Sequence, residues 1–150
     1  MRLEQDDCTA VGEIVAGRYF KKNGWKYTNL RDIRKIFRAY NELEDQYNAY
    51  PYMSRDWHVS NSVDKDTYIA KTWKELKRLV DFLNEYGDRQ LYSFVIASDN
   101  QISLCKVVTS DSNSKESREA ADIAKEHGYM LYLFKVKVPN NIEYDIDTII

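Results

Sequence analysis

Two cysteines and two histidines are all that this 150-residue chain offers a soft metal ion. Cys8 and Cys105 lie far apart, and neither His58 nor His127 belongs to an HExxH or paired-cysteine spacing. A transition-metal centre needs three or four such side chains at short, regular separations. No metal site is expected, and no cofactor is indicated. The same scarcity excludes a small secreted scaffold, which would be dense in cysteine. Both thiols read as free, in a reducing compartment. No stretch approaches the 18 or more apolar residues of a membrane span. Met1-Arg2-Leu3-Glu4-Gln5-Asp6-Asp7 places acids where a signal peptide needs its apolar run. The expected location is therefore the cytoplasm, with no membrane partner. Only Pro51 and Pro139 break the chain as prolines, and both read as terminators.

What is present is a chain 43% hydrophobic and 31% charged, richer in apolar residues than disordered chains are. Its length fits one domain, residues 1–150, that buries roughly 68–70% of its unfolded surface without staples. There is no internal repeat and no low-complexity segment.

Apolar periodicity predicts three helices in residues 1–87. The first covers 7–22, where Val11, Ile14, Val15 and Tyr19 recur at helical spacing. Gly12 and Gly17 each weaken it by about 1 kcal/mol relative to Ala. With Ala10 and Ala16 they read as a small-residue face against which another element packs closely. A phosphate-binding loop is excluded, because these glycines do not follow a strand. The second helix covers 29–49, from an Asn29/Asp32 cap to Pro51, with Leu30, Ile33, Ile36, Phe37, Tyr40 and Leu43 in its stripe. Residues 51–63 read as a loop. The third helix covers 66–86, from Ile69 and Trp73 to a stop at Gly87.

Beyond Gly87 the pattern turns strand-like. Residues 91–97 and 102–109 predict a hairpin about Ser98-Asp99-Asn100-Gln101. Residues 113–127 predict a short helix ending at Gly128, with His127 placed to complement its dipole. Residues 130–138 and 142–150 predict a second hairpin about Pro139-Asn140-Asn141, with Val136 opposite Tyr144 and Phe134 opposite Ile146. The expected fold class is α+β: an N-terminal three-helix segment packed with an antiparallel β-β-α-β-β module in residues 88–150.

Net charge is −2, but its distribution is polarised. Residues 18–38 carry eight lysines and arginines against Asp32 alone, and residues 39–68 carry six acids against two bases. Arg31, Arg34, Lys35 and Arg38 share one helix face. Aromatic side chains interleave with the cations, and nine residues stand out as candidate binding residues: Lys21, Lys22, Trp25, Lys26, Tyr27, Arg31, Arg34, Lys35 and Arg38. Such a mixture suits the acidic surface of a protein or ribonucleoprotein, where Arg and Tyr are favoured anchors. It also suits RNA or single-stranded DNA, through phosphate contacts and base stacking. The blandest reading is a solvated helix face above a Tyr-lined core.

Chemistry is harder to place. No nucleophile has a local signature, and no carboxylate pair stands out for acid–base work. Arg55-Asp56-Trp57-His58 is the one cluster that suggests a site, although the simpler reading is a loop whose Trp57 plugs the core. The chain therefore reads first as a non-enzymatic interaction protein, second as a nucleic-acid binder, and third as a small enzyme centred near Trp57 and His58. In composition alone, a short acidic chain rich in Tyr, Asn and Lys is similar to accessory proteins of phages and mobile elements. That similarity implies an inhibitor that blocks a host machine by contact.

Overall fold

In the computed structural model, which describes residues 3–61, 70–98, 101–109, 114–139 and 143, the chain runs α1 (Gln5–Lys22), β1 (Lys26–Asn29), α2 (Ile33–Ala49), α3 (Arg55–Ser60), α4 (Trp73–Tyr86), β2 (Phe94–Ser98), β3 (Gln101–Val108), α5 (Ser114–Glu126) and β4 (Leu131–Lys135). The α+β class holds, but the arrangement differs from the expected one in two ways. The sheet takes its first strand, β1, from the N-terminal three-helix segment, largely from the gap between the first two expected helices. It is also mixed rather than antiparallel.

The strand order is β1-β2-β3-β4. β1 pairs antiparallel with β2, Tyr27 opposite Ile96. β2 and β3 form the expected hairpin, with Phe94 opposite Cys105 and Val95 opposite Leu104. β4 lies parallel to β3, with Val107 opposite Phe134. The reason is topological. A helix interposed between two neighbouring strands returns the chain to the end from which it started, and α5 is such a crossover. The hairpin expected between 130–138 and 142–150, including the Val136–Tyr144 and Phe134–Ile146 pairs, lies outside the described residues.

Alternation along the strands sorts their side chains onto two faces. Phe94, Ile96, Cys105 and Val107 join Ala16 and Phe20 of α1 in one cluster. Val95 and Leu104 face the larger cluster built from Ile36, Leu43, Leu76, Leu79, Leu83 and Ala120. Among the described residues, the sheet is thus covered by α1 on one side and by α2, α4 and α5 on the other. Tyr92 helps fix α5, its hydroxyl donating to the Ala120 carbonyl at 2.7 Å.

α1 inverts its apparent polarity. Its buried residues are the small stripe Cys8, Gly12 and Ala16, followed by Phe20. The close packing expected of the glycines is seen at Gly12, where a Cβ would stand 2.7 Å from Val107 Cγ1. The larger set Val11, Ile14, Val15 and Tyr19 faces outward, 38–58% exposed.

Among the described residues, Lys106 is the one buried lysine or arginine, 7% exposed, its ammonium donating to the Leu91 carbonyl at 3.2 Å. Burial lowers its pKa, opposed by the Glu116 charge. Between this lowered value and the ordinary one the unfolded chain binds more protons, so stability rises with pH across that window. Lys106→Met is expected to remove that rise while leaving the fold intact. Urea denaturation of both proteins at about pH 7 and 10 checks it.

Candidate interaction face

The basic segment is held in place from its ends. Lys21 and Lys22 occupy the last turn of α1, where cations complement the helix dipole. Asn23 closes the helix, its N–H and its side-chain amide both donating to the Tyr19 carbonyl, at 3.0 and 2.8 Å. Gly24 then takes φ +71°, a left-handed conformation with open space around it, so the backbone rather than crowding calls for glycine. The Trp25 N–H donates to the Phe20 carbonyl at 2.9 Å and turns the chain into β1.

β1 delivers the next residues. Lys26 is exposed, and Tyr27 is half-buried on the α1 side of the sheet. Asn29 ends the strand and caps the following 3-10 turn, its Oδ1 accepting the Arg31 N–H at 2.8 Å. Arg31 folds back onto α1, its Nε 2.9 Å from the Glu13 carboxylate, which is only 12% exposed. Asn29 donates to the same carboxylate oxygen at 3.5 Å.

These contacts create an open groove of about 440 Å³ between α1 and β1, with Glu13, Arg18, Lys21, Tyr27, Asn29 and Arg31 in its walls. Three cations face one carboxylate there. The groove collects Lys21, Tyr27 and Arg31 of the nine candidates. Arg34, Lys35 and Arg38 lie exposed along α2. Lys35 pairs with Asp32 at 3.6 Å. Arg18, Lys21, Lys22, Lys26, Arg34 and Arg38 form no ion pair with a described carboxylate. Trp25 belongs to the layer beneath, stacked on Phe20 with ring centroids 5.6 Å apart and planes 12° from parallel. Arg18, Glu13 and Asn29 were missed among the candidates. Arg18 carried a signal, since it sits one turn before Lys21 and Lys22; Glu13 and Asn29 carried none.

The Arg55-Asp56-Trp57-His58 cluster corrects the sequence reading. It is the helix α3, capped by Ser54, whose Oγ accepts the Trp57 N–H at 3.0 Å. Trp57 is 44% exposed and does not plug the core; His58, at 4%, is the residue turned inward. Its Nε2 lies 3.2 Å from the Tyr50 carbonyl. Asp56 accepts the Trp73 N–H at 2.7 Å. The Arg55 guanidinium lies over the Tyr47 ring at 3.8 Å. Each polar member is thus engaged in joining α3 to α2 or α4, and the histidine does not face solvent.

Cys8 and Cys105 are free and buried, and burial pushes the Cys105 thiol up to about 12, so it stays protonated at neutral pH. Among the described residues, no three His, Cys, Asp or Glu side chains are grouped to hold a metal ion, and no helix is long and apolar enough to cross a membrane. No family model, curated protein or solved structure matches the chain, so its functional reading rests on the charge and geometry of this face.

Proposed function

We propose that the chain is a non-enzymatic interaction protein that docks by its basic N-terminal face on an acidic surface of a protein or ribonucleoprotein, and inhibits that partner by covering it. The observation that carries this reading is the groove between α1 and β1. It gathers Arg18, Lys21 and Arg31 around Tyr27, beside further exposed cations on α2. A surface of one sign steers an oppositely charged partner and fixes its register. The step from docking to inhibition rests on composition.

The state of the aromatic rings favours a protein partner over single-stranded nucleic acid. Base stacking requires open ring faces. Here one face of Trp25 is occupied by Phe20, and Tyr27 lies tilted against Phe20 and edge-on to Phe94, at 5.7 and 6.0 Å. These rings hold the cations up rather than presenting themselves.

The test is capture of partners from native lysate with and without nuclease, using Lys21→Glu/Arg34→Glu/Lys35→Glu/Arg38→Glu as the control. All four side chains are exposed, so the melting temperature should scarcely move. Arg31 is left intact because a carboxylate there would face the largely covered Glu13. A protein that survives nuclease, is lost from the variant and elutes with rising salt is the expected result. Unchanged capture by the variant would overturn the proposal, and recovery of nucleic acid alone would transfer the face to RNA or single-stranded DNA.

A further inference from the structure

Helix α1 carries exposed apolar side chains outside its buried stripe. Cys8, Gly12, Ala16 and Phe20 lie against the sheet, while Val11, Ile14 and Val15 are 38–58% exposed. Contiguous exposed apolar side chains mark candidate contact surfaces. The outward set is also a poor choice for a solvated helix, because β-branched valine and isoleucine lose side-chain freedom there without gaining packing.

Charges along this outer face are sorted. Asp7, Val11, Ile14, Arg18 and Lys21 follow one another at alternating steps of four and three, the spacing of a helix–helix seam. Acid stands at the N-terminal end, apolar residues in the middle and base at the C-terminal end. Reversed end to end, this sequence of surfaces complements itself.

We propose that α1 pairs antiparallel with α1 of a second copy of this chain, about a two-fold axis. In the register where opposed residue numbers sum to 25, Val11 meets Ile14, Asp7 meets Arg18 and Glu4 meets Lys21. A parallel pair would set Asp7 on Asp7 and Arg18 on Arg18, so charge selects the antiparallel arrangement. A two-fold interface of this kind needs only one self-complementary surface. One helix pair buries less than the roughly 1,600 Å² of a standard interface, so the association is expected in the micromolar range. The seam shares Ile14, Arg18 and Lys21 with the groove that carries the proposed function, so dimer and docked partner would compete for α1; the purified chain without partner reads the dimer alone.

Sedimentation equilibrium of the full chain at low ionic strength, from about 5 to 500 µM, reads the dimer directly. Ile14→Arg, at a position 58% exposed and so compatible with folding, is expected to weaken the dimer about tenfold or more. Arg18→Glu should weaken it too, by facing Asp7 of the second copy, and Arg18→Glu with Asp7→Lys should restore it. Asp7 and Glu4 form the capping box of α1, Asp7 accepting the Glu4 N–H at 3.2 Å, so this swap and a second one, Lys21→Glu with Glu4→Lys, are each compared with Asp7→Lys or Glu4→Lys alone, which carries the loss of the cap. Far-UV circular dichroism confirms that each variant is folded. A monomer throughout the concentration range overturns the proposal. So does a dimer indifferent to Ile14→Arg, or one that neither swap restores.

Discussion

Phe20→Ala is expected to destabilise the protein by about 3–5 kcal/mol, the range for truncating a fully buried phenylalanine. Phe20 is 1% exposed, and its ring lies within 6.0 Å, centroid to centroid, of Tyr19, Trp25, Tyr27, Phe94 and Phe134. These neighbours come from α1, β1, β2 and the β4 strand, so no single element can move in to fill the void. Aromatic pairs add about 0.5–1.5 kcal/mol beyond their buried area. The loss has a second consequence, because the Phe20 carbonyl also receives the Trp25 N–H that starts β1. Partner binding should therefore weaken in this variant although no cation has changed. Tyr19→Ala, one residue earlier and 45% exposed, is expected to cost about 1 kcal/mol or less. Urea denaturation of the two variants measures the contrast. Equal losses would mean that the cluster is not organised around Phe20.

The longer helices and the central hairpin were legible because their signals are local, whereas α3, six residues long, reads as loop in the sequence. α4 is read from Leu76, Leu79, Val80 and Leu83, and its true start at Thr72 also had a local mark. Thr72 and Glu75 stand at the spacing of a capping pair, and the Thr72 hydroxyl accepts the Glu75 N–H at 3.2 Å. β1 was not legible. Lys26-Tyr27-Thr28-Asn29 is too short to establish a period of two. It becomes a strand only because β2, far along the chain, supplies its hydrogen-bonding edge. The direction of β4 is likewise a matter of connection and not of composition.

At the candidate site, the cationic run was visible as charge, but its division of labour was not. Arg31 and Glu13 are 18 positions apart, and only the return of the chain through β1 brings them to 2.9 Å. That contact turns one of the supposed binding cations into a tether between α1 and the turn before α2. The Trp57/His58 reversal has a helical cause. Consecutive residues on a helix point about 100° apart, and the inward arc of α3 is taken by His58 and Val59, which leaves Trp57 outside it. The Ser54 cap and the Asp56 bond to Trp73 set the rotation that selects His58.

Gly12 and Gly17 sit five residues apart on α1, and alanine at the two positions is expected to act with opposite sign. Neither has a positive φ, so both backbones accept alanine, and helix propensity alone favours it by about 1 kcal/mol at each. At Gly17 the new Cβ would lie 3.7 Å from the Tyr27 ring, an ordinary contact, so Gly17→Ala should stabilise by roughly 0.5–1 kcal/mol. At Gly12 it would meet Val107 Cγ1 at 2.7 Å and Thr109 Cγ2 at 3.4 Å. Val107 is 5% exposed on a central strand, and its branched Cβ leaves few rotamers to turn to. Overpacking of this kind costs about 1–3 kcal/mol, enough to outweigh the propensity gain. Gly12→Ala should therefore destabilise, and Gly12→Leu should lose about 3 kcal/mol or more by forcing α1 off the sheet. Val107→Ala in the Gly12→Ala background should recover part of the loss, because the two sites share one contact and cannot be additive. Stabilisation by Gly12→Ala equal to that by Gly17→Ala would show that α1 does not approach β3 this closely.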